Sequence, residues 1–590
     1  MRCRRLGALL SLLAAGCVGA AQPAAGPGAP RFPSTWSFDA ASAAPVRARG
    51  GMVVTTDPVA SEIGAEILRR GGNAVDAAVA VHFALAVVNP EAGNLGGGGF
   101  LLLRWRDGRT AALDFRETAP RRATPAMFLD SAGRPTDRSL VGHLAAGVPG
   151  SVMGMWEAHR RFGARPWAEL LQPAIALAEG IVVHRRLAES LQAHAERLRR
   201  YPQTAAIFLP GGRPPRVGER FVQHDLAETL RRIAAEGPDD FYRGRTAALI
   251  EREMRRGGGL IDREDLARYR AVWREPIRFT YRGFTVLSMP PPSSGGVTLA
   301  LLLQMLEGDD LRSLGWHSSA HLHLWAEAAK RAFADRNALL GDPDFVPVPV
   351  ERLVSKAYAA ARRRTIGARA TPAAAVAPGL PVPEGEHTTH YSIVDAEGNA
   401  VAVTTTINSL YGNLVVVEGA GFLLNNEMDD FAAAPGVPNQ FGLVQGAANA
   451  VAPGKRPLSA MTPTIVLDSA GRVRLVTGSP GGPTIISTVA QIVSAVVDFR
   501  MDLSTAVAAP RVHHQHRPDT LWVERGGLAP TTAAALRARG HAVVERGGYQ
   551  GDAASILLQP DGLRVGVADP RRGGRAAGTD VGTGTFAVRP

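Results

Sequence analysis

The sequence predicts an α+β fold, on three observations. From about residue 50 to 365, helix-like and strand-like stretches alternate. From 388 onward strand-like segments dominate, at 388–394, 400–407, 414–424, 463–468 and 473–477. No internal repeat interrupts this order. With 590 residues, 45% hydrophobic and 20% charged, the chain has the composition of a globular protein. Its length suggests several domains, although large α/β layers can run as one unit.

The first 21 residues stand outside this fold. Arg2, Arg4 and Arg5 precede an apolar run from Leu6 to Ala15 and then small residues. That is the pattern of a secretory signal peptide, too short for a comfortable membrane span. Small residues at 19–21 suit ordinary signal peptidase, whereas "LAAGC", ending at Cys17, resembles a bacterial lipobox. Either way the mature protein is expected to be exported, periplasmic or extracellular, with a membrane link only through a lipid on Cys17. The other cysteine, Cys3, lies inside the leader, so no intramolecular disulfide is expected and stability must come from a packed core. Residues 22–50, rich in Ala, Pro and Gly, are expected to be a tether.

Folded sequence is expected from about residue 51. Val53 and Val54 suit a strand, and Asp57 followed by Pro58 caps and opens a helix that Gly71-Gly72 ends. Residues 74–88 are apolar almost all round, which predicts a buried helix. Residues 367–386 lose all periodicity and suggest a flexible segment.

The 66 basic and 54 acidic residues give a net charge of +12. The arginines are scattered among acids, with no interleaved aromatics and no binding motif, so no nucleic-acid partner is expected. The charge could help attract a small anionic substrate. "HHQH" (His513, His514, His516) does not have zinc spacing, and no metal is expected. Asp335 and Arg336 suit structural roles, and Arg571 a structural ion pair.

The turn "DAEGN" at 395–399 separates two alternating segments, which predicts a hairpin. Symmetry about Glu397 sets position 388 opposite 406, so Thr388 meets Thr406 across the ladder unless a bulge shifts the register. Threonine is also a good strand former, and the pattern alone leaves Thr388 an ordinary strand residue. Three glycine-bearing stretches accompany the hairpin: "NPEAGNLGGGGF" (89–100), "PPPSSGG" (290–296) and "GSPGG" (478–482). None has the spacing of a phosphate loop. Glycine also permits close backbone approach, with N–H groups aimed at a developing oxyanion, and "GSPGG" directly after the strand "VRLVT" fits that use.

These stretches, with "DFRETAP", "GVPGS", "EAAKRAFADRNALLGDPDF", "TTHYSIVD", "TTTIN", "GFLLNNEMDDF", "KRPLSAMTPTIV" and "DPR", occur in one order from about residue 50 to 575. The chain thereby resembles the γ-glutamyltransferase (γ-glutamyl transpeptidase, glutathione hydrolase) family of N-terminal-nucleophile hydrolases. The resemblance implies a four-layer αββα sandwich cut by itself between His387 and Thr388 into a large subunit, 51–387 after leader and tether, and a small subunit, 388–590. It implies that Thr388 attacks the γ-amide of glutathione or another γ-glutamyl compound, and that water or an amino acid or dipeptide acceptor resolves the ester. Cleavage would give Thr388 a free α-amine, whose pKa of about 7.7–8.0 suits a base at neutral pH. By resemblance, Gly481 and Gly482 form the oxyanion hole and Thr406 bonds the nucleophile. Arg116 and Ser459 take the α-carboxylate, while Asn408, Glu427 and Asp430 surround the α-ammonium. No cofactor is implied.

Two positions depart from the family pattern. Ala460 stands where a second serine is common, and Phe441, in a lid at 435–446, where tyrosine is common. The first suggests weaker binding of the acyl group or some drift in its specificity. Two alternatives stay open: a related amidase, such as a cephalosporin (glutaryl) acylase or poly-γ-glutamate hydrolase, and an unprocessed binding protein.

Overall fold

The structure is a computed structural model and describes residues 44–377, 388–432, 439–547 and 550–580. The leader, most of the tether, His387 and the first part of the lid lie outside these residues.

Two seven-stranded antiparallel sheets form the centre. The first has the order Arg575–Gly578, Met52–Thr55, Thr389–Val394, Ala400–Thr406, Gly98–Arg104, Thr110–Phe115, Val272–Arg274. The second has the order Val46–Ala48, Arg564–Ala568, Ala554–Leu558, Val473–Thr477, Thr464–Leu467, Phe284–Ser288, Ile277–Tyr281. Both faces of the first sheet are covered, so its central strands Thr389–Val394 and Ala400–Thr406 are buried at every residue. Period two then sorts the side chains. Leu101 and Leu103 face a cluster with the helix Ala74–Val88, while Phe100 and Leu102 face a cluster with the second sheet. Beyond the second sheet lie the helices Gly295–Leu306, Ser319–Leu339 and Thr484–Val497. This is the αββα sandwich.

Local signals are met where they are strong. Asp57 caps the helix Pro58–Arg69 through bonds from the Val59 and Ala60 amides. Every residue of Ala74–Val88 is buried, and Asn73 caps it in a reciprocal box with Asp76. The hairpin register runs from Val394↔Ala400 to Thr389↔Thr405 without a bulge, so symmetry about Glu397 holds.

Three expectations are corrected. The tether ends earlier, because Val46–Ala48 forms an edge strand against Arg564–Gly566. Three residues are too few to carry a period. Residues 414–424 are not a strand, since Leu414, Gly419 and Gly421 adopt positive φ and fold the run into tight turns. The Val416↔Leu423 bridge is what remains of it. The segment 367–386 is held at least to Val376. The Ala370 amide donates to Arg539 O at 2.8 Å, the Ala373 amide to Asp519 Oδ2 at 2.6 Å, and His516 Nε2 meets the Ala373 and Val376 carbonyls at 3.0 Å. These bonds use partners distant in sequence, so periodicity gave no sign of them. They also give His516 its role, while His513 bonds Ser487 and Gln515 and His514 bonds Asp519.

Candidate active site

The site forms at the open end of the hairpin. Thr389 pairs with Thr405, and Thr406 with Gly98, which puts Thr388 level with Thr406 at the sheet's rim. The loop 89–97 presses on that rim. Asn94 Nδ2 donates to the Thr406 carbonyl (3.0 Å) and to Thr405 Oγ1 (3.2 Å), and Asn94 Oδ1 accepts from the Gly97 amide and Ser151 Oγ. The approach is so close that a Cβ on Gly97 would lie 2.0 Å from the Thr406 oxygen. The glycines of "NPEAGNLGGGGF" thus serve backbone contact. Behind the hairpin, His390 bonds Thr404 and Ser392 and fills the space beside Gly478.

A cavity opens here. Thr388, Thr406, Asn408, Arg116, Glu427 and Asp430 line it, together with Ser459, Gly482 and Phe441. Residues spread over more than 360 positions of sequence therefore meet in one place. Gly481 stands beside the cavity rather than on its wall.

Each residue is held by its own local structure. Asn408 takes positive φ (68°), a conformation asparagine tolerates, with its amide on Thr406 Oγ1 (2.8 Å) and its Nδ2 on the Asn426 carbonyl (3.0 Å). The Ser459 carbonyl accepts from both the amide and hydroxyl of Ser294, and its amide donates to Pro292. "PPPSSGG" is therefore the clamp on the segment that carries Ser459. The Gly481 and Gly482 carbonyls accept the Thr484 and Ile485 amides at the start of the helix Thr484–Val497. A trans peptide points its N–H opposite to its C=O, so the Gly482 N–H points away from that helix. The helix N-terminus adds positive potential behind it.

The charged floor has an arrangement the sequence did not reveal. Arg116 is completely buried and bonds both Glu427 and Asp430, with Glu117 Oε2 3.7 Å away. Its Nε also donates to the Pro457 carbonyl at 3.2 Å. Burial by itself would lower the Arg116 pKa, but Glu427, Asp430 and Glu117 together raise it. Burial pushes the Glu117 carboxyl up to about 8 and the Glu427 carboxyl well above its ordinary range, against the pull of Arg116. Burial raises Asp430 as well. Three carboxylates around one guanidinium cannot all ionise at low cost, so the cluster favours protonation more than isolated carboxylates do.

The opposite wall is apolar. Phe441, Leu443 and Ala460 pack with Phe333 and Ile486, and the lid stretch joins the core as the Phe441 carbonyl accepts from Gln515 Nε2 at 3.2 Å. Sequence reasoning missed three residues of the site. Glu117 and Asn94 sit inside motifs already singled out, and their neighbours drew the attention. Arg336, set down as structural, lines the cavity, whereas Asp335 beside it pairs with Arg362. One step along a helix turns a side chain by about 100°, and only packing tells which of the two faces the site.

A family model described as gamma-glutamyltranspeptidase matches residues 60–579. The glutathione hydrolase proenzyme of Escherichia coli (strain K12) is 48% identical over 569 residues, 96% of this chain and 97% of that protein. The acylase ACY 1 proenzyme of Pseudomonas sp. (strain SE83) is 43% identical over 538 residues, 89% and 92% of the two chains. Among solved structures, a cephalosporin acylase from Bacillus halodurans superposes with a TM-score of 0.80 at 30% identity, covering 94% of this chain and 99% of that one.

Proposed function

The chain belongs to the γ-glutamyltranspeptidase family, and from that premise we propose that it is a self-processing γ-glutamyltransferase and glutathione hydrolase. One observation carries the reading: Thr388 and Thr406 share a cavity with groups of both charges for a γ-glutamyl head, Arg116, Ser459, Asn408, Glu427 and Asp430.

In the precursor, the Thr388 hydroxyl attacks the His387 carbonyl. The acyl group moves from nitrogen to oxygen, and water hydrolyses the ester. A carboxylate at His387 and a free α-amine at Thr388 result. That amine then accepts the hydroxyl proton as the same residue attacks the substrate γ-amide. The tetrahedral oxyanion faces the amides of Gly481 and Gly482. Collapse expels the amine, which takes up the proton, and leaves a γ-glutamyl ester on Thr388. Water gives hydrolysis; an amino acid or dipeptide gives transfer. Arg116 and Ser459 orient the α-carboxylate, and Asn408, Glu427 and Asp430 the α-ammonium. No cofactor takes part. The central strands Thr389–Val394 and Ala400–Thr406 lie between Met52–Thr55 and Gly98–Arg104. The large subunit, ending at 387 and including the strand Val46–Ala48, and the small subunit (388–590) therefore remain interlocked as a heterodimer after the cut. On the strength of its leader the enzyme is exported.

Mass spectrometry of the purified protein tests this. Two chains, the smaller starting at Thr388, are expected, with turnover of a γ-glutamyl anilide. A Thr388→Ala variant should remain one inactive chain. An intact 387–388 linkage in an active protein overturns the mechanism. The related-amidase alternative, a cephalosporin (glutaryl) acylase, makes a glutaryl donor the relevant competitor. The amine-facing set Asn408, Glu427 and Asp430 favours γ-glutamyl donors, and faster turnover of the glutaryl anilide would reverse that order.

A further inference from the structure

Arg336 is a buried cation with no carboxylate in contact among the described residues. It is 1% exposed, on the helix Ser319–Leu339, and its guanidinium stands on the wall of the cavity. Nε donates to Ser294 Oγ at 2.9 Å and Nη1 to Asn337 Oδ1 at 2.8 Å, both neutral acceptors. Among the described residues no carboxylate comes within 4.0 Å of it, although buried Arg116, Arg331, Arg511 and Arg571 each have one in contact. Burial pulls its pKa down to about 10, and Asp430, beyond ion-pair contact, pulls it back. An uncompensated buried charge is costly, so the site gains when an anion arrives.

Arg116 cannot be the whole of the carboxylate site, because its charge is already shared by Glu427 and Asp430. Arg336 lies on the wall that also carries Ser459 and Ala460. It reaches Ser459 through Ser294, whose hydroxyl donates to the Ser459 carbonyl at 2.5 Å. We propose that Arg336 is a specificity-determining residue of this site, a second cation that recognises the α-carboxylate of the γ-glutamyl group. It thereby supplies affinity where Ala460 offers no hydroxyl. The inference rests on the γ-glutamyl reading of the cavity.

The test compares three anilides on the processed enzyme and its Arg336→Gln and Arg336→Lys variants. The γ-glutamyl anilide carries both charges of the head group, the glutaryl anilide only the carboxylate, and the 4-aminobutyryl anilide only the amine. Affinity is measured as KM or, for a slow donor, as a competitive inhibition constant. Arg336→Gln is expected to weaken the γ-glutamyl and glutaryl compounds by roughly 10- to 100-fold and to leave the 4-aminobutyryl compound within about twofold. Arg336→Lys, which keeps the charge, should recover part of the loss. Equal losses for all three compounds, or failure of both variants to process into two chains, would make Arg336 a structural residue and overturn the proposal. So would unchanged affinity for the γ-glutamyl compound. Failure of the wild-type enzyme to process and act on the γ-glutamyl anilide would instead remove the functional reading beneath it.

Discussion

Replacing Gly97 by alanine tests whether the glycine loop positions the nucleophile by contact. Gly97 is not in a left-handed conformation, so the added methyl acts by volume alone. Its Cβ would lie 2.0 Å from the Thr406 carbonyl oxygen and 2.7 Å from Asn94 Oδ1. The loop has no room to retreat. The Gly97 amide donates to Asn94 Oδ1 at 3.0 Å, and its carbonyl accepts from the Gly150 and Ser151 amides at 2.8 and 3.0 Å. Thr406 must therefore back away from 2.0 Å to the 3.4 Å of an ordinary contact, about 1.4 Å, and lose its bond from Asn94. Overpacking costs about 1–3 kcal/mol and the lost bond about 1 kcal/mol. The expected destabilisation is about 2–4 kcal/mol. A displacement of this size beside Thr388 should also lower kcat on the γ-glutamyl anilide by about 100-fold. Denaturant unfolding and single-turnover kinetics of the processed enzyme measure the two effects. Gly308→Ala, whose Cβ meets nothing within 4 Å, is the control and should stay within about 0.5 kcal/mol of wild type. A Gly97→Ala enzyme as stable as that control, processed and fully active, refutes the contact argument.

The remaining expectations concern the charged floor and its rim. Glu117 is raised from about 4.5 to about 8, so its stabilising contribution is complete below pH 4.5 and is lost as pH rises through 8. The unfolding free energy of Glu117→Gln relative to wild type should therefore grow across that window, by up to about 1.4 kcal/mol per pH unit. A constant difference between pH 5 and 8 would mean the carboxyl is already ionised. Asp430→Asn should raise KM for γ-glutamyl donors by roughly 10- to 100-fold and that for glutaryl donors much less, since the latter lack the amine. Equal effects would remove Asp430 from the ammonium site. Ala460→Ser adds a hydroxyl beside Phe441 and Leu443, which should cost about 1 kcal/mol of stability in the free enzyme. The same change should lower the γ-glutamyl KM by about tenfold, and an unchanged KM would count against a carboxylate site on this wall.

Local signals fixed a good deal of this molecule. Asp57 and Pro58 set a helix start, the apolar belt at 74–88 a buried helix, and the alternation around "DAEGN" the register that brings residue 388 level with residue 406. Each depends on forces between residues a few positions apart, which a sequence records directly. The ordered motifs also named most of the residues that line the cavity. Other features depended on partners hundreds of positions away. The hold on residues 370–376 comes from Asp519, His516 and Arg539, and the strand Val46–Ala48 exists because Arg564–Gly566 offers it an edge. The charge state of the floor belongs to this second kind. That Arg116 is shared by Glu427 and Asp430, while Arg336 lines the cavity with no carboxylate in contact among the described residues, follows from burial and distance together. Those quantities exist only once the sheets and helices have closed around the site.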